Sequence, residues 1–221
     1  MRQAKTTPRK PPRQARSRAT VEAILEATIR VLITRGYDGA TTIAIAARAG
    51  VSVGSLYQYF PNKEALVAAL VDRHVGELLA CTEQALAAAE LGDPRATVRA
   101  FIHAGIEAHR INPALHKVLV EQVPRVGRVA VAMDASRRIA AQLAAYLAPH
   151  RRMLAVRDVE VAAFVVETAV EALTHRVVIE RPDLISTSRL EAEAADLVIG
   201  YLFGARRAAR PRRHATRTST R

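Results

Sequence analysis

The chain has 221 residues, half of them hydrophobic, which is enough to bury a sizeable core and excludes a disordered polymer as the starting assumption. Its single cysteine, Cys81, excludes an intramolecular disulfide and fits a reducing cytoplasm; no Cys/His spacing resembles a zinc site, so neither metal nor cofactor is expected. The net charge of +12 sits at the ends: residues 1–18 and 206–221 hold fourteen Arg and Lys without one acid, leaving the body at −2.

The basic N-terminus is followed by no apolar signal region, and no run approaches eighteen apolar residues, so neither secretion nor membrane insertion is expected. From Ser17 to Arg35, Val21, Ile24, Leu25, Thr28 and Leu32 recur at three- and four-residue steps, which predicts an amphipathic helix that Gly36 stops. After a loop at 37–40, Thr41 or Thr42 caps a short helix ending near Ala49. Gly50 makes a turn, and Ser52 caps a second short helix that Pro61 closes from behind.

A long helix follows from about 62 to 89, with Leu66, Leu70, Leu78, Leu79 and Leu86 on its apolar side, broken by Gly92. Asp93 before Pro94 and Asn112 before Pro113 start helices of about 94–111 and 113–122, because a capping side chain precedes a proline at the first helical position. Further helices are predicted at about 127–147, ended by Pro149, and at 157–180 and 188–205, separated by Arg181-Pro182-Asp183. The expected fold is all-α, with about nine helices and no strand.

Two short helices joined at a glycine form a helix-turn-helix. The small Ala46 lets the helices approach, Gly50 takes a backbone angle that side chains resist, and Ile45, Ala49, Val51 and Leu56 supply the buried contacts. The runs Thr41-Thr42-Ile43-Ala44-Ile45-Ala46-Ala47-Arg48-Ala49-Gly50-Val51-Ser52 and Leu56-Tyr57-Gln58-Tyr59-Phe60-Pro61-Asn62-Lys63-Glu64-Ala65-Leu66 resemble the TetR family of bacterial regulators, the likeness covering about residues 18–66.

That resemblance implies a three-helix DNA-binding domain followed by a helical ligand-binding and dimerisation domain. The expected division is a basic disordered arm (1–16), the DNA-binding domain (17–62), the sensor and dimerisation domain (63–205) and a basic disordered tail (206–221). It implies DNA contacts from Thr41 and Thr42 at the start of the first short helix, from Ser52, Val53, Gly54, Ser55 and Gln58 in the major groove, and from Tyr57, Tyr59 and Lys63 to phosphates. Gln58 is the candidate for a bidentate contact to adenine. Some family members carry a base-reading Arg where Ile43 stands, so shape readout, or Arg16 or Arg18 in the minor groove, is expected to contribute.

One helix-turn-helix makes few contacts, so a homodimer on a palindromic operator is expected. A stripe containing Val166, Val170, Leu173 and Val177, with another containing Leu190, Leu197 and Tyr201, is the expected dimer interface, which the resemblance makes a four-helix bundle. Helices 62–147 are expected to enclose a pocket for a small apolar or amphipathic ligand. His103, Glu107, His109 and Glu167 are its candidate polar residues.

The function so implied is that of a sequence-specific transcriptional regulator, a repressor by family resemblance, that a small molecule releases from DNA. An enzyme is not expected, because no phosphate-binding glycine loop, nucleophile elbow or catalytic constellation is present. The alternative is a non-specific nucleic-acid-coating protein acting through its basic arms.

Overall fold

The computed structural model describes residues 15–88, 93–110, 113–122, 127–185 and 187–204. The two tails expected to be disordered, the expected cap Asn112 and the side chain of Arg16 lie outside the described set. Ten α-helices and no strand occur among the described residues.

Helix α1 (Ala15–Gly39) breaks at Gly36, whose φ of 65° lies where a glycine is favoured. Helix α2 (Thr42–Ala49) is capped by Thr41, whose hydroxyl accepts from the Ala44 amide, which settles the choice between the two threonines. Gly50 ends it in the left-handed region, at φ 69° and ψ 28°. Helix α3 (Val53–Tyr59) starts on Ser52, which accepts from the Ser55 amide at 3.0 Å.

Helix α4 (Lys63–Ala87) is capped by Asn62, α5 (Pro94–Arg110) by Asp93, which accepts from the Arg95 amide at 2.9 Å, and α6 (Pro113–Gln122) follows. Helix α7 (Val129–Leu147) does not stop cleanly at Pro149: it tightens into a 3-10 turn over Ala148–Met153. Helix α8 (Val159–Glu180) is capped by Asp158. A four-residue helix, α9 (Pro182–Ile185), occupies the expected break before α10 (Ser188–Phe203).

Two main cores divide these helices. Ile24 and Leu32 of α1, Ile45 and Ala46 of α2, Leu56 and Phe60 around α3, and the Ala65–Val71 half of α4 form the first, which Leu119 of α6 also enters. Leu79 of α4, Phe101, Ile102 and Ile106 of α5, Leu143 and Leu147 of α7, Ala162 and Val166 of α8, and Val198 and Leu202 of α10 form the second. Helix α4 therefore belongs to both cores, and the expected boundary at 62/63 falls at its first turn rather than between independent units.

Arg73 of α4 locks the junction from outside, bonding Glu22 at 2.7 Å and Glu26 at 3.3 Å on α1. Among the described residues no helix is long and apolar enough to cross a membrane.

Candidate functional site

Helices α2 and α3 present a mostly polar face because most of their apolar residues, exposed Ile43 excepted, are used inward. Ile45, Ala46, Leu56 and Phe60 are buried, which fixes α3 against α1 and α2 and turns Gly54, Tyr57 and Gln58 outward. Ser52 is exposed and its hydroxyl lies 2.9 Å from that of Ser55, while Val53 and Ser55 are half-buried. The Thr42 and Tyr57 hydroxyls meet at 3.0 Å across the turn. Gly54 has helical backbone and room for a Cβ, whose nearest neighbour would be the Ser52 hydroxyl at 3.8 Å, so no packing within the chain requires a glycine there.

A second candidate site lies below this face. A cavity of about 850 Å³, its mouth included, opens among α4, α5, α6, α7 and α8. Its walls are mostly apolar, among them Val71, Leu78, Phe101, Leu119, Ile139 and Val170. Its polar groups are connected to one another. His74, His109, His116 and His175 come from four different helices, and successive ring centroids lie 4.1 Å (His109 to His116), 5.0 Å (His74 to His116) and 4.9 Å (His116 to His175) apart.

The chemistry of this cluster follows from burial. His74 is pushed down to about 4 by desolvation and by its neighbour His175, and His109 to about 3 by desolvation and His74, against an opposing bond to the Gly105 carbonyl. His116 is driven down further, first by burial and then by the other three rings. Burial also lowers His175, with Glu171 acting in the opposite direction. The imidazoles are thus neutral, with ring nitrogens available as donors of a lone pair. Glu167, buried on the same wall, is raised to about 7 by desolvation and then by the Glu171 charge.

Two family models match the chain. The family model "Bacterial regulatory proteins, tetR family" matches residues 24–70, and "Tetracyclin repressor-like, C-terminal domain" matches residues 93–202, so together they take in most of the chain. The chain belongs to the TetR family. The HTH-type transcriptional regulator BetI of Yersinia pestis is 36% identical over 99 residues, 43% of this chain and 48% of the relative. BetI of Burkholderia ambifaria is 31% identical over 94 residues, 42% and 48% of the two chains. The chain thus spans about half the length of the curated relatives it matches.

Solved structures match over more of the chain. A TetR-family regulator from Mesorhizobium loti superposes with a TM-score of 0.69 at 19% identity, covering 86% of this chain and all of that one. The fatty acid degradation regulator FadR of Bacillus halodurans gives 0.67 at 18%, with 86% and 97% covered. SmeT, in a complex with triclosan, gives 0.65 at 22%, with 87% and 99% covered. At these identities the likeness is one of fold.

Within this TetR-family chain, Lys63, expected at a phosphate, is engaged by Tyr37. Its ammonium donates to the Tyr37 carbonyl at 2.6 Å and sits 4.1 Å over the Tyr37 ring, while the Tyr37 hydroxyl reaches Glu64 at 3.2 Å. It fastens the loop after Gly36 to α4. Tyr59, expected at phosphates, is half-buried against the first core. Exposed Ile43, at 68%, presents an apolar group where some relatives carry an arginine.

Of the expected pocket residues, His109 and Glu167 line the cavity, but His103 and Glu107 do not. His103 is exposed and 3.0 Å from Glu191 of α10, and Glu107 pairs with Arg110, because their side of α5 faces α10 and solvent. Glu171, which the sequence pairs with Glu167 at a four-residue step for a polar ligand group or an intersubunit Arg, also lines the cavity; His74, His116 and His175 were not foreseen, since nothing in their spacing along the chain marks them as neighbours.

The expected dimer stripe divides: Leu173, Leu197 and Tyr201 are exposed, and the other four are used within the chain. Val166 and Val177 are 1% and 8% exposed in the chain's own cores, Val170 lines the cavity and Leu190 packs beside Ile185. The apolar side chains that α8 and α10 show outward are Phe164 and Leu197, at 62% and 59%, with Val161, Val165, Ile179, Leu173 and Tyr201. Helix α8 is apolar nearly all round, and the inward choice went to the side with the smaller residues Ala162, Ala163 and Val166.

Proposed function

We propose that this chain is a homodimeric, sequence-specific DNA-binding transcriptional regulator, a repressor released from a palindromic operator by a small apolar or amphipathic ligand. The observation that carries the reading is the outward face of α3. Gly54 and Gln58 are exposed there with no packing to hold them, on a helix whose other face Leu56 and Phe60 pin to the core. Gln58 offers an amide that matches the adenine edge, and the Thr41–Thr42 end of α2 offers amides and hydroxyls to a phosphate. The outward residues of α3 are neutral, so charge attraction comes from exposed Arg48 at the end of α2, from Arg18 and from the tail Arg and Lys.

The cavity supplies the switch. Helix α4 carries His74, Val75, Leu78 and Thr82 on the cavity wall and Leu66 and Leu70 in the DNA-binding core, so a ligand that repositions its middle also moves the reading head. Ligand binding releases DNA to the extent that it favours a spacing of the two heads that does not fit the operator. The apolar walls with polar groups suit an amphipathic molecule, and Glu167 or Glu171 would take its polar end.

Selection from random duplex DNA with the full-length protein tests the reading, alongside a full-length variant whose tail Arg and Lys are changed to Gln. Recovery of one palindrome by both, with the variant only weaker and less salt-sensitive, is the expected result. No motif from either protein, with binding abolished in the variant, replaces the reading with non-specific coating through the tails.

A further inference from the structure

We propose that His74, His109 and His116 form a binding site for a divalent transition-metal ion, and that the ion acts as an effector of DNA binding. One ring nitrogen or more from each of the three lies within 4.8 Å of the others. An ion bound at about 2.0–2.1 Å to three imidazoles holds their nitrogens about 3.3 Å apart, so rotation of the rings by an ångström or so completes the site.

The nitrogens are set for this use. His109 Nδ1 lies 2.6 Å from the Gly105 carbonyl, and a carbonyl only accepts, so the proton is on Nδ1 and the lone pair is on Nε2. A backbone carbonyl on the far nitrogen is the usual means of orienting a metal-bound histidine. His74 Nε2 and both nitrogens of His116 are buried and have no hydrogen-bond partner among the described residues. Such orphans are costly without a partner, and one cation takes a lone pair from His74 Nε2 and from one nitrogen of His116, the other His116 nitrogen carrying the proton. Burial keeps the rings unprotonated and open to a metal at neutral pH.

The donor set selects the class of ion. Three imidazoles suit zinc, nickel, copper(II) or cobalt and not magnesium or calcium. A thiolate is not part of the set, because Cys81 points its sulfur at the Leu78 and Ala104 carbonyls and burial raises its pKa. His175, with its ring 4.9 Å from that of His116, stands next to the open coordination position.

The effector role rests on the regulator reading given above. Val71, one turn before His74, and Leu119, one turn after His116, both lie in the DNA-binding core, whereas His109 belongs to α5 in the sensor. An ion joining the three therefore clamps α4 and α6, which carry the reading head, to the sensor body.

The test uses untagged full-length protein stripped with EDTA. Cobalt(II) titration is expected to give a visible absorption band saturating at one ion per chain, with X-ray absorption counting at least three imidazole nitrogens; zinc displaces it. His116→Gln is expected to weaken zinc at least a hundredfold, and His103→Gln and His150→Gln to leave it unchanged. An ion absent from the wild-type protein, or one lost with His103→Gln at the exposed His103, Glu107, Glu191 group, overturns the site. The wild-type spectrum decides even if His116→Gln fails to fold. Operator affinity with and without zinc is expected to differ at least fivefold. No difference overturns the effector role alone, while failure to find any operator both in EDTA and with zinc overturns the regulator reading instead.

Discussion

The hydroxyls of Thr42 and Tyr57 lie 3.0 Å apart at the exposed mouth of the turn between α2 and α3. One proton serves that bond, so the other points away from the pair, toward whatever acceptor approaches the face. A phosphate oxygen is such an acceptor. Tyr57→Phe is expected to leave thermal stability within about 0.5 kcal/mol, because the bond is solvent-exposed. It should weaken operator binding about fivefold, equivalent to about 1 kcal/mol, with no change in salt slope, since no charge is removed. Fluorescence anisotropy at three salt concentrations checks both parts; an unchanged affinity removes Tyr57 from the interface.

Gly54 separates folding from recognition in the opposite direction. Its backbone is helical and an added methyl meets only the Ser52 hydroxyl at 3.8 Å, so Gly54→Ala is expected to raise stability by about 0.5–1 kcal/mol. The same methyl enters the space between α3 and the groove floor, and operator affinity should fall at least tenfold. Gln58→Ala, by contrast, should relax the selected sequence at one base pair of each half-site, at a cost of about 1–3 kcal/mol. Chemical denaturation paired with repeat DNA selection checks the three statements.

These residues were readable from the chain because local chemistry decides them. Gly36 and Gly50 need positive φ, Ser52 and Asp93 cap, and the burial of Leu56 and Phe60 orients α3. Where tertiary packing decides, the chain was silent. Helix α8 is apolar around most of its circumference, so periodicity had little contrast with which to choose Phe164 over Val166 as the outward residue. The contacts of Lys63 with the Tyr37 carbonyl and ring join residues 26 positions apart, and nothing local announces them. The four histidines lie on α4, α5, α6 and α8, and only the crossing of those helices brings them together.

The outward residues of α8 and α10 carry the next expectation. Exposed Phe164 and Leu197 lie on helices whose other faces share the second core, and an apolar surface of that kind fits a second copy of the chain. Phe164→Glu or Leu197→Glu should convert dimer to monomer at micromolar concentration by light scattering, keep helical content, and reduce operator affinity by two orders of magnitude or more. Val166→Ala should do the reverse: lower stability by about 2 kcal/mol through the lost methyls, and leave the dimer intact. Dissociation caused by Val166→Ala, with Phe164→Glu still dimeric, would put the Val166 side of α8 in the interface instead of the Phe164 side.

Glu167 gives a pH dependence whose sign can be worked out. Its folded value is raised to about 7 from the usual 4.5 by burial and by Glu171, so the native state holds the proton more tightly than the unfolded chain. Its contribution to stability is complete below about pH 4.5 and is lost as the pH rises through 7. The groups around it are Glu171 and His175 on α8, the Ser136 hydroxyl on α7 and the Thr168 hydroxyl, and His74, His109 and His116 on the other walls. The histidines act oppositely: their folded values are depressed, so they add stability as the pH climbs from about 4 to 6.5. Comparing Glu167→Gln with the wild type cancels that trend. In EDTA, the variant should gain about 2–3 kcal/mol on the wild type between pH 5 and pH 8, by urea denaturation at each pH. A difference that stays flat across that range would mean that Glu167 is already ionised at pH 5, and that the cavity holds a carboxylate rather than a proton.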